Sequence, residues 1–237
     1  MTLNEVVFDI KELIQANSDD RAFDFPEPHI LFIYEEQRAL TINKLNNRAG
    51  RVYDSQLYQT TIMEVEQVDR SFCPLVPIGC KIARTKERLP SSFLYNHRHA
   101  LVDRVGGNDV LSKKYKFMEY PSIENVFGGA HAHKYVYTFE LNGYIYLVSK
   151  NNMVKALGNV VVRAIYEQPS KVIESGICSD GSGGLNCDIY PMPNRFHTMA
   201  KQGTLEQLIN KYQIPADKDN NSDEDLVQMQ RKSNAKS

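Results

Sequence analysis

Apolar residues recur every three to four positions at the start of the chain. Leu3, Val6, Val7, Ile10, Leu13 and Ile14 fall on one face, with charged and amide residues opposite, which predicts an amphipathic helix over residues 2–16. Thr2 and Glu5 form a capping-box pair, each side chain placed to satisfy a backbone amide of the first turn. Asn17, Ser18, Asp19 and Asp20 should end the helix, because such side chains compete for its backbone hydrogen bonds. A second helix is expected from His29 to about Asn46, with Pro28 at its start. Its inner stripe would be Ile30, Ile33, Tyr34, Gln37 and Leu40.

The period then shifts to two. Residues 59–68 read as a strand, with Thr61, Met63 and Val65 on one side and Ile62, Glu64 and Glu66 on the other. Residues 80–85 make a second strand. The strongest local signal is Asn142-Gly143 between residues 135–141 and 144–148, since a two-residue hairpin turn needs the positive φ these residues adopt readily. Residues 160–166 are apolar enough for a central strand. After Pro169 and a glycine-rich loop (176–184), a last helix over residues 194–212 would turn Phe196, Met199, Ala200, Leu205, Leu208 and Ile209 inward. Gly203 is its candidate break.

The predicted fold class is α+β, with helices segregated from an antiparallel sheet. The expected organisation is a helical layer (1–50), a β-rich region (51–175), the loop and C-terminal helix (176–215), and a flexible polar tail (216–237).

Composition narrows the function classes. Hydrophobic residues make up 42% of the chain, which excludes wholesale disorder. Lys and Arg number 28 against 29 Asp and Glu, so the chain lacks the basic excess of proteins that wrap nucleic acid. No apolar run approaches a membrane span, and Glu5, Asp9 and Glu12 are wrong for a signal peptide, which predicts synthesis in the cytoplasm. There Cys73, Cys80, Cys178 and Cys187 should be free thiols, and their spacing does not match the tight pairs of zinc sites.

Candidate chemistry is sparse. On a strand, each of the pairs His97/His99 and His131/His133 could offer two imidazoles to one metal; the plainer reading is loop or surface residues. Gly106-Gly107-Asn108-Asp109 and Gly128-Gly129 fit neither phosphate-binding glycine pattern and read as turns. Residues 179–184 do not form a nucleophile elbow, and pairing Cys178 or Cys187 with His197 has no supporting pattern.

Lys81, Arg84, Lys86, Arg88, Arg98, Arg104, Lys113, Lys114 and Lys116 form a basic rim over residues 81–116, with Tyr115 and Phe117 interleaved. The rim could touch DNA phosphates, as in a nucleic-acid-binding accessory protein. The favoured alternative is solvated strand faces that use lysine against edge pairing. Around the predicted hairpin Tyr135, Tyr137, Tyr144 and Tyr146 share one face. Tyrosine tolerates partial exposure, so these four are candidate subunit-interface residues.

Several segments together resemble the ring proteins of crAss-like phages. They are Ser18-Asp19-Asp20 after the first helix, Gln59-Thr60-Thr61 at a strand entry and Lys86-Glu87-Arg88-Leu89-Pro90 at a strand end. Ala164-Ile165-Tyr166-Glu167-Gln168-Pro169, the step Asp188-Ile189-Tyr190-Pro191-Met192-Pro193, and the Asp/Asn-rich stretch from Asp217 to Asn221 complete the pattern. Glu167, Pro169, Asp188, Tyr190 and Pro191 are the family-like positions, whereas Gln168 stands where the pattern has an acidic residue. The resemblance implies a non-enzymatic virion protein of the head–tail connector, without cofactor or bound metal. It further implies a dodecameric ring that contacts the portal and neighbouring ring or tail proteins, with genomic DNA passing through the channel. A sheet edge and the helical layer would supply the two unlike faces that a ring needs.

Overall fold

The Thr2–Glu5 capping box forms in the computed structural model: the Thr2 amide donates to Glu5 Oε2 (2.8 Å) and the Glu5 amide to Thr2 Oγ1 (3.3 Å). It opens helix α1, Leu3–Asn17, which buries Val6, Val7, Ile10 and Ile14. The structure describes residues 2–17, 25–49, 54–73, 76, 80–96, 99–107, 115–119, 122, 132–150, 154, 157–175 and 189–212. The break at residues 18–20 and the tail from 216 lie outside them.

Helix α2, Glu27–Ala49, starts two residues earlier than expected, and Pro28 sits in its first turn. Its inner surface includes Ile30, Ile33 and Tyr34 of the predicted stripe but is wider than that stripe. Leu40 is 46% exposed, while Glu35, Arg38, Thr41, Ile42 and Asn46 are buried beside Ile30, Ile33 and Tyr34. The helix is covered over more than half its circumference, so a one-face template misplaces its core.

The last helix, Asn194–Tyr212, is α4 in chain order, after the short α3, Pro169–Glu174. α4 packs on both α1 and α2, burying Phe196, Ala200 and Leu208, whereas Met199 is 47% exposed instead of inward. Gly203 does not break it. A Cβ there would lie 2.5 Å from Gln37 Oε1, so the glycine leaves room for the Gln37 amide between α2 and α4.

Among the described residues nine strands lie between α2 and α3: β1 Gln59–Gln67, β2 Lys81–Thr85, β3 Tyr95–Asn96, β4 His99–Ala100, β5 Val102–Gly106, β6 Lys116–Phe117, β7 Tyr137–Leu141, β8 Tyr144–Ser149 and β9 Asn159–Ala164. β3 and β4 form a small antiparallel pair; the other seven make one sheet in the order β5-β9-β1-β2-β8-β7-β6. All its pairs are antiparallel except β6 with β7, a parallel pair that departs from the expected pattern.

The sheet curls until its ends meet. The Tyr115 amide, beside β6, donates to the Val105 carbonyl on β5 (2.8 Å), so the strands enclose a barrel-like core. Met63, Ala83, Val105, Ile145, Leu147, Val160, Val162 and Ala164 fill it, with Phe93 and Tyr166 at one end. The alternation of β1 is as expected, with Thr61 and Met63 buried inside. The helices form a separate apolar layer around Ile10, Ile33, Ile42 and Phe196, joined to the barrel through Ile165 and Leu94. The chain is thus α+β, with its helices set apart from a mostly antiparallel sheet.

Candidate assembly surface

The β7–β8 turn places the tyrosines. Asn142 (φ 53°) and Gly143 (φ 80°) form the tight turn, which pairs Leu141 with Tyr144, Phe139 with Tyr146 and Tyr137 with Val148. Tyr137, Phe139, Tyr144 and Tyr146 therefore share the outer barrel face, and the Tyr135 ring meets that of Tyr137 at 6.3 Å. Phe139 and Tyr146 stack at 5.4 Å.

This face is only partly open. Cys73, Val76 and Ile82 pack over Tyr137, Phe139, Tyr146 and Val148, leaving Tyr137 and Tyr146 only 4% and 3% exposed. Those two rings belong to the chain's own core. Tyr135, at 37%, and the half-buried Tyr144 remain at its rims.

Cations cap both rims. The Lys116 ammonium stands 3.7 Å from the Tyr135 ring centroid. The Arg84 guanidinium lies between Phe72 (4.9 Å) and Tyr144 (4.6 Å), and Arg88 lies over Tyr144 at 5.5 Å. Phe72, Arg84, Tyr144 and Arg88 thus alternate in a ladder across the outer face. Glu66 Oε1 holds Arg84 at 2.7 Å, and Phe72 is 52% exposed. Preorganised tyrosine, phenylalanine and arginine groups of this kind characterise the cores of protein contacts. Sequence reasoning missed Phe72, which comes from a 3-10 turn distant from the hairpin.

The basic rim is dispersed. Glu66 pairs with Arg84, and Glu64 pairs with Lys86 at 3.1 Å, so two of its cations are already matched by carboxylates on β1. Arg98, Lys113 and Lys114 lie outside the described residues. Of the histidine pairs, exposed His99 meets Glu119 (3.1 Å) and exposed His133 lies on a 3-10 turn, while His97 and His131 lie outside. Among the described residues no group of three or more metal-capable side chains comes together. Asn108, Asp109, Gly128, Gly129, Cys178, Cys187 and residues 179–184 also fall outside.

His197 joins the helices. The Tyr34 hydroxyl lies 2.6 Å from its Nδ1, Asp9 Oδ2 lies 3.4 Å from its Nε2, and Lys201 also pairs with Asp9. A carboxylate only accepts, so the neutral ring carries its proton on Nε2 and takes the Tyr34 hydrogen on Nδ1. The line resembles a catalytic relay, but Tyr34 is fully buried, beyond any substrate. It clasps α1, α2 and α4 together.

Burial lowers the His197 imidazole below its ordinary 6.5, outweighing the opposite pull of Asp9. With the folded value below the unfolded one, the unfolded state binds more protons between the two. This stabilisation is therefore complete above about 6.5 and is lost as pH falls through the folded value. Melting scans should show Tm dropping as pH falls below about 6.5, by about 2–4 °C per kcal/mol lost, and a His197→Gln variant should flatten that slope. An unchanged slope in the variant would remove His197 from the account.

Two of the family-like positions, Tyr190 and Pro191, meet at a residue the sequence did not single out. Arg38 is fully buried; its guanidinium donates to the carbonyls of Tyr166 (2.9 Å), Pro191 (3.2 and 3.3 Å) and Leu57 (3.5 Å) and lies over the Tyr190 ring. Pro169 starts α3 and its carbonyl accepts from Gln59 Nε2 (3.3 Å), while the Glu167 amide donates to the Ser92 carbonyl. Gln168 contributes its amide to Ser91 Oγ and no side-chain cap. The first turn of α3 instead uses Glu35, whose Oε1 accepts from the Ser170 amide at 2.9 Å. Asp188 lies outside the described residues. Pro169, Tyr190 and Pro191 are buried at the corner between barrel and helices, while the Glu167 side chain is exposed.

Comparison with known families bears directly on this arrangement. The family model described as phage tail ring protein 2 matches residues 5–226. The chain belongs to this crAss-like phage ring family. No curated protein matches it. As a phage tail ring protein the chain has a structural role, and as such it is a component of the virion. No helix among the described residues of this ring protein is long and apolar enough to cross a membrane.

Proposed function

We propose that this chain builds an oligomeric, dodecameric ring in the head–tail connector. Its partners are its own copies, the portal, and adjoining ring or tail proteins, with genomic DNA passing through the central channel. The observation that carries this reading is the uneven distribution of exposed aromatic surface. Phe72 projects from the barrel ladder, while Phe8 and Phe32 project from α1 and α2. A ring generated by rotation needs two unlike faces on each subunit, and these elements supply them. The Tyr115 amide on the Val105 carbonyl partly closes the β5 edge, so the outer barrel face is taken as the first of them. Tyr135, Tyr144 and Lys116 extend the contact surface on the barrel side. The chain's net charge of −1 suits a channel that must let DNA slide.

Negative-stain microscopy of the purified full chain should show closed rings, and labelled virions should carry the chain at the neck. A label elsewhere in the particle overturns the connector assignment. A chain that remains monomeric at every accessible concentration overturns the ring.

A further inference from the structure

We infer that the guanidinium–aromatic ladder of one copy docks onto the α1 face of the next copy. This rests on the ring reading above and specifies its contact. The ladder presents Phe72, Arg84, Tyr144 and Arg88 in register on the outer barrel face. Arg88 is exposed, and no carboxylate pairs with it among the described residues.

The complementary surface lies on the helical layer. Asn4, Glu5, Phe8 and Glu12 fall on one outward stripe of α1, four residues apart or adjacent to such a position. Asn4, Glu5, Val7, Phe8 and Glu27 line an open groove of about 540 Å³. Phe8 is 62% exposed, the most exposed large apolar side chain among the described residues. Glu12 is exposed and has no cation paired with it among the described residues; Glu27 is paired with Lys11 at 2.9 Å but keeps most of its surface open.

One face therefore offers guanidinium groups around aromatic rings, and the other offers carboxylates around an aromatic ring. Docking them buries Phe8 against Phe72 and Tyr144, and sets Glu12 and Glu5 within reach of Arg88. The two faces stand on different elements of the same chain. The contact is head-to-tail: each copy uses its ladder once and its α1 once, which propagates around a closed ring. Removing water from the aromatic rings supplies the attraction, and the charges of Arg88 and Glu12 set register and reject the wrong partner.

The test is a charge exchange in the full-length chain, read by sedimentation velocity over a concentration series. Arg88→Glu and Glu12→Arg each alter an exposed side chain, and circular dichroism should confirm that each variant keeps its fold. Each alone should weaken self-association about tenfold or more. Mixed in equal amounts they should assemble again. An intact ladder from one variant then meets an intact α1 from the other, and the remaining junction pairs Glu at 88 with Arg at 12.

If both variants assemble as the unaltered chain does, the contact lies elsewhere and the docking is overturned while the ring stands. If only Arg88→Glu weakens assembly, or if removal of residues 213–237 reproduces its effect, the ladder receives something other than α1 and the docking is again overturned. If the unaltered chain never self-associates, the ring reading and this contact fall together.

Discussion

Replacing Arg38 by alanine should lower the unfolding free energy by about 3–5 kcal/mol, measured by urea titration of the intact chain. The guanidinium is fully buried, and it satisfies three carbonyls that come from separate parts of the fold. Burial pushes its own proton affinity down, so it stays in place only because those carbonyls replace the lost water. Alanine removes every bond at once. The carbonyls of Leu57, Tyr166 and Pro191 remain without this donor, and an empty volume opens beneath Tyr190. Arg38→Met fills that volume without restoring the donors, so it should fall between alanine and the native residue. Unfolding midpoints for both variants within about 0.5 kcal/mol of the native chain would show that the corner is held by apolar packing alone.

The second large effect belongs to Phe93. Its ring is fully buried, meets Phe117 edge-on at 5.7 Å and Tyr166 at 5.5 Å, and its backbone bridges to Tyr166. Phe117 lies on β6, a strand of only two residues, so this aromatic cluster helps hold the closing strand in place. Phe93→Ala should cost about 3–5 kcal/mol in stability. Hydrogen exchange should quicken most at Tyr115 and along β5, where the sheet closes, while α2 and α4 retain their protection. Uniform acceleration across the chain would mean that Phe93 supports the whole fold and has no special part in closure.

The two sites divide the labour of a ring subunit. The Arg38 corner fixes the barrel relative to the helices, and the aromatic cluster keeps the barrel shut. Between them they would hold the ladder and the α1 face at the constant spacing that the proposed ring of identical copies requires at every junction. Neither site is exposed. Substitutions there should affect assembly through stability, whereas Arg88 and Glu12 should affect assembly without changing stability.

The sequence by itself determined what depends on neighbours a few residues apart. The Thr2–Glu5 cap, the Asn142-Gly143 turn, the alternation of β1 and the helical period of α1 are all local. In each case the interacting groups lie within a few residues or across a single tight turn. The resemblance to ring proteins was likewise legible in short ordered motifs, and the family match bears it out.

Tertiary structure alone decided the rest. Arg38 reaches carbonyls from 19 to 153 residues away, so nothing in its own helix marks it as a core residue. Leu40 and Met199 face outward because the packed helices leave those arcs uncovered, although both satisfy an apolar period. Tyr137 and Tyr146 are buried by Cys73, Val76 and Ile82 from another part of the chain, and β5 meets the segment entering β6 only after the sheet curls. Local periodicity can tell which residues share a face. Which faces are covered, and by what, depends on contacts between residues far apart in the chain.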